Sequence, residues 1–245
     1  MPYSEWKEEN MSYAMCFFPW IGAVSGVVTY AVYALKTCLE GKGICFHELF
    51  WIVILVLIPV FITGGIHMDG FLDTEDALHS HQSKERKLEI LKDSHTGAFA
   101  IITCVVYFIA YIGIYSSVSE RSVRMIGISF MLSRTLSGLS VICFPQARKK
   151  GMAAEFSGNA AKRNTRIVLF IYLILLGIWM ITAGGIIGAA GVLTAGVVFA
   201  YYYHMCMAKF GGMTGDLAGY FLQLCEIAMA FVMVAADVIL GGLGI

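Results

Sequence analysis

The residues richest in chemistry lie in the run Gly64-Gly65-Ile66-His67-Met68-Asp69-Gly70-Phe71-Leu72-Asp73-Thr74-Glu75-Asp76. On a helix Asp69, Asp73 and Asp76 stand at i, i+4 and i+7, and at roughly 100° per residue they fall within about 60° of one another. Three carboxylates on one face repel where the dielectric is low, so such a group needs protonation or a cation among its members. Oxygen ligands without cysteine point to Mg²⁺, or to Mn²⁺. Glu75 faces away and is the weaker ligand. Gly64, Gly65 and Gly70 allow close backbone approach to a ligand, and a glycine turn opening a helix offers free N–H groups to a phosphate. The competing reading is an acidic surface helix whose charges are simply solvated.

Two further polar segments carry related chemistry. The stretch Glu85-Arg86-Lys87-Leu88-Glu89-Ile90-Leu91-Lys92-Asp93-Ser94-His95-Thr96-Gly97 is amphipathic and ends in a small polar turn. Lys92, Ser94 and the Gly97 backbone are placed to grip phosphate oxygens, and Asp93 to hold metal or act as a base. An interfacial helix lying on the bilayer is the alternative, and both readings can hold. Gly211-Gly212-Met213-Thr214-Gly215-Asp216 sets Thr214 and Asp216 at the start of the last apolar run, where Asp216 is either functional or an N-cap. Arg134 and Glu226 fall inside apolar runs, where an ionisable residue is costly and is either functional or paired. His79 and His81 form an HxH that chance produces often. Asp237 lies near the far membrane surface, away from this chemistry.

The elements that must position these groups are membrane helices. Hydrophobic residues make up 58% of the 245-residue chain, charged residues only 14%, and mean hydropathy is +0.75. Runs near 13–39, 49–66, 98–118, 123–144 and 217–243 each meet the roughly 20-residue length of a crossing. The run 167–207 is twice that length and carries Gly184, Gly185, Gly188 and Gly191 at its middle, which reads as a helical hairpin, as close small-residue packing, or as both. The expected fold is an all-α integral membrane protein, a single polytopic domain over residues 1–245 with about seven spanning helices, polar loops and short amphipathic helices. Seven crossings put the N-terminus and the loops 65–97, 145–166 and 209–216 on one side, with 12 of the 17 Lys and Arg residues, so that side is expected to face the cytoplasm. Zero net charge and the lack of a basic stripe exclude nucleic-acid binding. Seven cysteines without CxxC or zinc spacing read as reduced apolar fillers. No signal peptide precedes the first span, and no internal repeat suggests a two-fold transporter.

Taken together, these segments resemble the cobalamin synthase (adenosylcobinamide-GDP ribazoletransferase) family of the late corrinoid pathway. The resemblance rests on the run 64–76, on Leu91-Lys92-Asp93-Ser94-His95-Thr96-Gly97-Ala98-Phe99, on Leu132-Ser133-Arg134, on Phe144-Pro145-Gln146-Ala147-Arg148, and on 211–216 with Gln223 and Glu226. Leu72 stands where the family usually has Ala, and His95 where it has Arg. A further short apolar element is expected ahead of Met1, and with it a start that is truncated or misassigned.

The resemblance implies a Mg²⁺-dependent phosphotransfer, of the kind that moves a nucleotide-activated substituted phosphate, in a multi-pass cell-membrane protein with its site toward the cytoplasm. Adenosylcobinamide-GDP and α-ribazole (or its 5′-phosphate) would be the substrates, GMP the leaving group, and a homo-oligomer or association with other corrinoid-pathway enzymes is compatible with it. Asp69, Asp73 and Asp76 are expected to hold the metal, and Asp73, Asp76, Asp93 and Asp216 to serve catalysis. Gly64, Gly65, His67, Lys92, Ser94, Arg134, Arg148, Thr214 and Glu226 are expected to bind substrate and phosphate. A CDP-alcohol phosphotransferase would instead show Ala-Arg where Leu72-Asp73 stand, and a cation transporter would need acidic pairs near mid-membrane.

Overall fold

The computed structural model describes residues 8–93, 95–148 and 162–244. Among them nine α-helices follow in order: α1 (Glu8–Glu40), α2 (Glu48–Thr63), α3 (Ile66–His79), α4 (Lys84–Ile90), α5 (Ala98–Tyr115), α6 (Glu120–Cys143), α7 (Lys162–Gly184), α8 (Ile186–Met205) and α9 (Gly215–Gly242). A π-helical turn, Cys206–Phe210, extends α8. Six helices are long and apolar enough to cross a bilayer, and α2 with α3, bent by 93° at their junction, brings the number to seven if the pair counts as one broken span. The fold is therefore an all-α integral membrane protein. The crossing belongs to the apolar α2, whereas α3, which carries Asp69, Asp73, Glu75 and Asp76, turns away from it at the end of the bundle.

That turn is made by glycine. Gly64 and Gly65 both take left-handed backbone, with φ of 63° and 79°, a region that L side chains enter only at a cost. Their part in the structure is to send α3 across the bundle end.

Large apolar side chains face outward along the spans, among them Phe17, Val27, Ile109, Ile174, Leu193 and Val197, as lipid contact requires. The interior holds the polar groups, and α6 is the most enclosed of the spans. Its hydroxyls at Ser129, Ser133 and Ser140 each bond a carbonyl three residues back. α1 lies directly on α6, because Gly22 and Gly26 let the backbones touch: a Cβ at Gly26 would stand 2.1 Å from the Gly127 carbonyl oxygen. This GxxxG spacing is the usual device for close helix approach in lipid, and it ties the first span to the central one.

The 167–207 run resolves into both of its readings at once. Gly185, at φ 55°, separates α7 from α8 as a turn. A Cβ at Gly188 would lie 1.8 Å from the Met180 carbonyl oxygen, so the same glycine group also packs the hairpin.

Candidate active site

The carboxylates meet where α3 crosses the first turns of α9. Gly70 lies against the backbone of Asp216, where an added Cβ would be 2.7 Å from its carbonyl oxygen, and Gly219 lies against His67, where a Cβ would be 3.0 Å from that carbonyl oxygen. Stacked Phe71 and Tyr220 rings, 5.5 Å between centroids, close the contact beneath. Two glycines therefore let α3 and α9 touch backbone to backbone and bring Asp69 and Asp73 to Asp216. Asp73 is half-buried; burial first, then the charges of Asp69, Asp216 and Asp76, push its carboxyl up to about 6.

Asp76 has a different partner. Its Oδ2 accepts the Gly97 N–H at 2.6 Å and its Oδ1 the Ala100 N–H at 2.9 Å. Gly97 is the N-cap of α5 and has no side chain to cap with; Asp76 serves in its place, satisfying two of the orphan donors of a helix start. Gly97 is open for the same reason, since a Cβ there would fall 2.6 Å from the Asp76 carboxylate. The helical phase expected for α3 is correct, and the third carboxylate on that face gives both its oxygens to N–H groups at the start of α5. Gly97 accordingly makes room for Asp76 and gives it the backbone N–H that was expected to meet a phosphate. Glu75, as expected, turns elsewhere, lying 3.3 Å from His79 Nδ1, and the His79 ring stacks on Phe99.

Asp216 is brought in with a cation. Residues 145–148 pair with the turn before α9 through a parallel bridge between Gln146 and Met213, with Met213 N–H donating to the Pro145 carbonyl at 2.8 Å and Ala147 N–H to the Met213 carbonyl at 3.0 Å. This staple places Arg148 close enough for its charge to act on Asp216. Thr214, not Asp216, is the N-cap of α9, its hydroxyl accepting the Leu217 N–H at 3.3 Å. The Asp216 carboxylate is thereby spared the capping role.

The other expected residues are placed as follows. Arg134 and Glu226, 1% and 2% exposed, form an ion pair at 2.6 Å inside the bundle, with Ser133 donating to the same Glu226 oxygen at 2.8 Å. They are the structural pair that their positions allowed, and neither charge is displayed at the surface. His67 meets Phe18 edge-on at 5.9 Å between ring centroids. Lys92 and Asp93 stay exposed; Asp93 accepts from His95, whose contacts hold its carboxyl below the usual range. No contact among the described residues links Lys92 or Asp93 to Asp69, Asp73 or Asp216. Ser94 lies outside the described residues.

Hard oxygen donors, crowded enough to raise one carboxyl, suit a divalent cation in kind. Among the described residues no three His, Cys, Asp or Glu side chains converge enough to enclose a metal alone. That agrees with Mg²⁺, which commonly takes one or two carboxylates and completes its shell with water and substrate phosphates. Asp69, Asp73 and Asp216 are the carboxylates from which one or two such ligands would come.

Sequence reasoning overlooked Lys87, which is buried in α4. A signal existed: it stands four residues before the buried Leu91 on the same helical face.

The whole chain has close relatives. Residues 1–234 match the family described as CobS, cobalamin-5-phosphate synthase. A protein of Lachnoclostridium phytofermentans named adenosylcobinamide-GDP ribazoletransferase is 46% identical over 245 residues, covering all of this chain and 92% of that one. One of the same name from Clostridium botulinum is 32% identical over 94% of this chain and 90% of its own, and one from Clostridium perfringens is 29% identical over 92% and 88%. No solved structure matches significantly. With its membrane bundle and its match across nearly all its length, the chain belongs to the cobalamin-5-phosphate synthase family, transferases of cobalamin synthesis.

Proposed function

We propose that the chain transfers the adenosylcobinamide phosphoryl group of adenosylcobinamide-GDP to the 5′ oxygen of α-ribazole or its 5′-phosphate, with release of GMP. The observation that carries this reading is the meeting of Asp69, Asp73 and Asp216 at the α3–α9 crossing with Arg148 beside them. The 5′ oxygen forms a bond to the phosphorus that bears cobinamide, and the bond from that phosphorus to the GMP oxygen breaks. The 5′ proton needs an acceptor. Asp73, whose carboxyl sits near 6, is ionised at neutral pH yet retains more affinity for a proton than an ordinary carboxylate. Arg148 offers N–H groups to the phosphate oxygens whose charge grows during transfer. Mg²⁺ held by Asp69 and Asp216, with Asp73 left to take the proton, would neutralise charge on the diphosphate.

The excess of basic residues at this end of the bundle supports a site that opens to the cytoplasm. Incubating purified protein with adenosylcobinamide-GDP, α-ribazole and Mg²⁺ should release GMP in step with a cobalamin product. Intact adenosylcobinamide-GDP, or GMP released equally without α-ribazole, would overturn the reading.

A further inference from the structure

α4 is short and largely exposed, yet Lys87 at its centre is only 6% exposed. A lysine so covered buries its apolar stem and leaves the ammonium at the boundary, where an anion can meet it. Its neighbour Arg86 has such a partner in Glu89, at 2.6 Å. The Lys87 side chain makes no hydrogen bond or ion pair among the described residues. The charge that acts on it comes from another cation, Lys209, on the π-helical turn, and burial and that charge together lower its pKa.

The position is built, because three segments distant in sequence converge there. Lys84 donates to the Met207 carbonyl at 3.3 Å, fixing α4 to the π-helical turn. Arg148 donates to the Leu88 carbonyl, fixing α4 to the segment before residue 149, and its charge also reaches Asp216. Arg148 thus forms the border between a cationic group and the acidic one. Side-chain atoms sealed from solvent without a partner include Arg134 Nε and Trp51 Nε1 but not Lys87 Nζ. The ammonium therefore reaches solvent at the end of a covered stem and has no counter-ion among the described residues. A cation so placed, with a second beside it, is matched by a phosphate oxyanion.

We propose that Lys87, together with Lys209 and Arg148, forms a phosphate-binding site adjoining Asp69, Asp73 and Asp216, and that its occupant is the phosphate of the nucleotide leaving group. The occupant's identity rests on the reaction proposed above; the existence of the site does not. An anionic lipid headgroup offers the same chemistry from another source.

GMP itself is the probe. Its binding is measured by calorimetry on the purified full chain in nanodiscs of phosphatidylcholine alone and of phosphatidylcholine with phosphatidylglycerol. Lys87→Gln should weaken GMP binding about tenfold or more, and Lys87→Arg should recover most of it, as loss and retention of a charge-assisted contact would. Guanosine, which lacks the phosphate, should bind wild type and Lys87→Gln equally. Lys209→Gln should weaken GMP in the same direction. Thermal midpoints show which variants are folded, and Lys87→Arg keeps the test decisive if Lys87→Gln is not. The proposal is overturned if wild type does not bind GMP, or if a folded Lys87→Gln binds it as wild type does. Loss only of the stabilisation given by phosphatidylglycerol, with GMP binding intact, assigns the site to lipid and overturns the nucleotide. Failure of the reaction reading looks different: no GMP release by wild type, with GMP binding still dependent on Lys87.

Discussion

Asp73 and Asp76 sit one turn apart on α3 and meet opposite circumstances. Asp76 is held by two backbone N–H groups, whereas Asp73 faces other carboxylates. Replacing Asp69, Asp73 or Asp216 by Asn should each lower turnover by about 10²-fold or more, roughly 3 kcal/mol of barrier. Doubles among the three should be little worse than singles, since groups that act as a unit are not additive. Asp76→Ala should instead lower stability by about 1 kcal/mol or more as a lost cap, read as a drop in thermal midpoint, and Glu75→Gln should be mild in activity. Silence at Asp69 with full damage at Glu75 would mean the helical-face argument is wrong. The raised Asp73 carboxyl has a pH consequence. Its pKa rises from 3.8 to about 6 on folding, so the folded state binds the proton more tightly and loses stability as pH climbs through that window, with the penalty remaining above it. A divalent cation would offset the penalty only where Asp73 is ionised. Mg²⁺ should therefore raise the thermal midpoint more at pH 7 than at pH 5. Glu75, also raised by burial, slopes the same way, so the deciding comparison is Asp69→Asn, which removes the strongest like charge on Asp73 and should flatten the difference. An equal Mg²⁺ response at both pH values would remove the metal assignment.

At the scale of elements, glycines decide which helices touch. Gly70→Ala must push α3 away from the Asp216 backbone, and a shift of this kind near reacting groups costs activity far more than a surface change would; it should lower turnover although Asp69, Asp73 and Asp216 are all unsubstituted. The nearest atoms that a Cβ at Gly97 would meet all belong to the Asp76 carboxylate, so Gly97→Ala collides there first. It should destabilise the wild-type protein clearly and an Asp76→Ala background much less, a coupling that a double-mutant cycle of thermal midpoints measures. Equal cost in both backgrounds would contradict the carboxylate cap. The spans, the hairpin and the helical phase of α3 were legible because apolar run length and helical periodicity are local properties of the chain. The partner of each carboxylate was not, because Asp76 bonds N–H groups more than twenty residues away and Asp216 arrives from the opposite end of the chain. Gly22 and Gly26 had a readable spacing, but nothing in it named Gly127 as their contact. Lys87 was hidden by a helix that looked like a solvated amphipathic surface.

Across the whole molecule the two ends of the bundle treat their charges differently. At the end away from the site, Lys36 meets Glu48 at 2.7 Å and Glu40 at 3.8 Å, and Arg124 pairs with Glu120. Ser119, which caps α6 there, donates to Asp237. At the site end Lys87 and Lys209 have no acidic partner among the described residues. An excess of unmatched cations marks the cytoplasmic side of a bilayer, and a reaction on phosphorylated substrates would draw on the same field. The chain carries its own reporter of orientation: Cys45, in the loop between α1 and α2, is exposed. With Cys38 changed to Ser, a membrane-impermeant maleimide added to intact cells should label Cys45. Gln82→Cys, in the exposed turn between α3 and α4, should resist the reagent until the cells are permeabilised. The reverse pattern would invert the molecule and put the carboxylates outside. Because α2 ends at the glycine turn that launches α3, a crossing by α2 puts the 41–47 loop on one face and the site on the other, so labelling at Cys45 and protection at position 82 test that crossing from both sides.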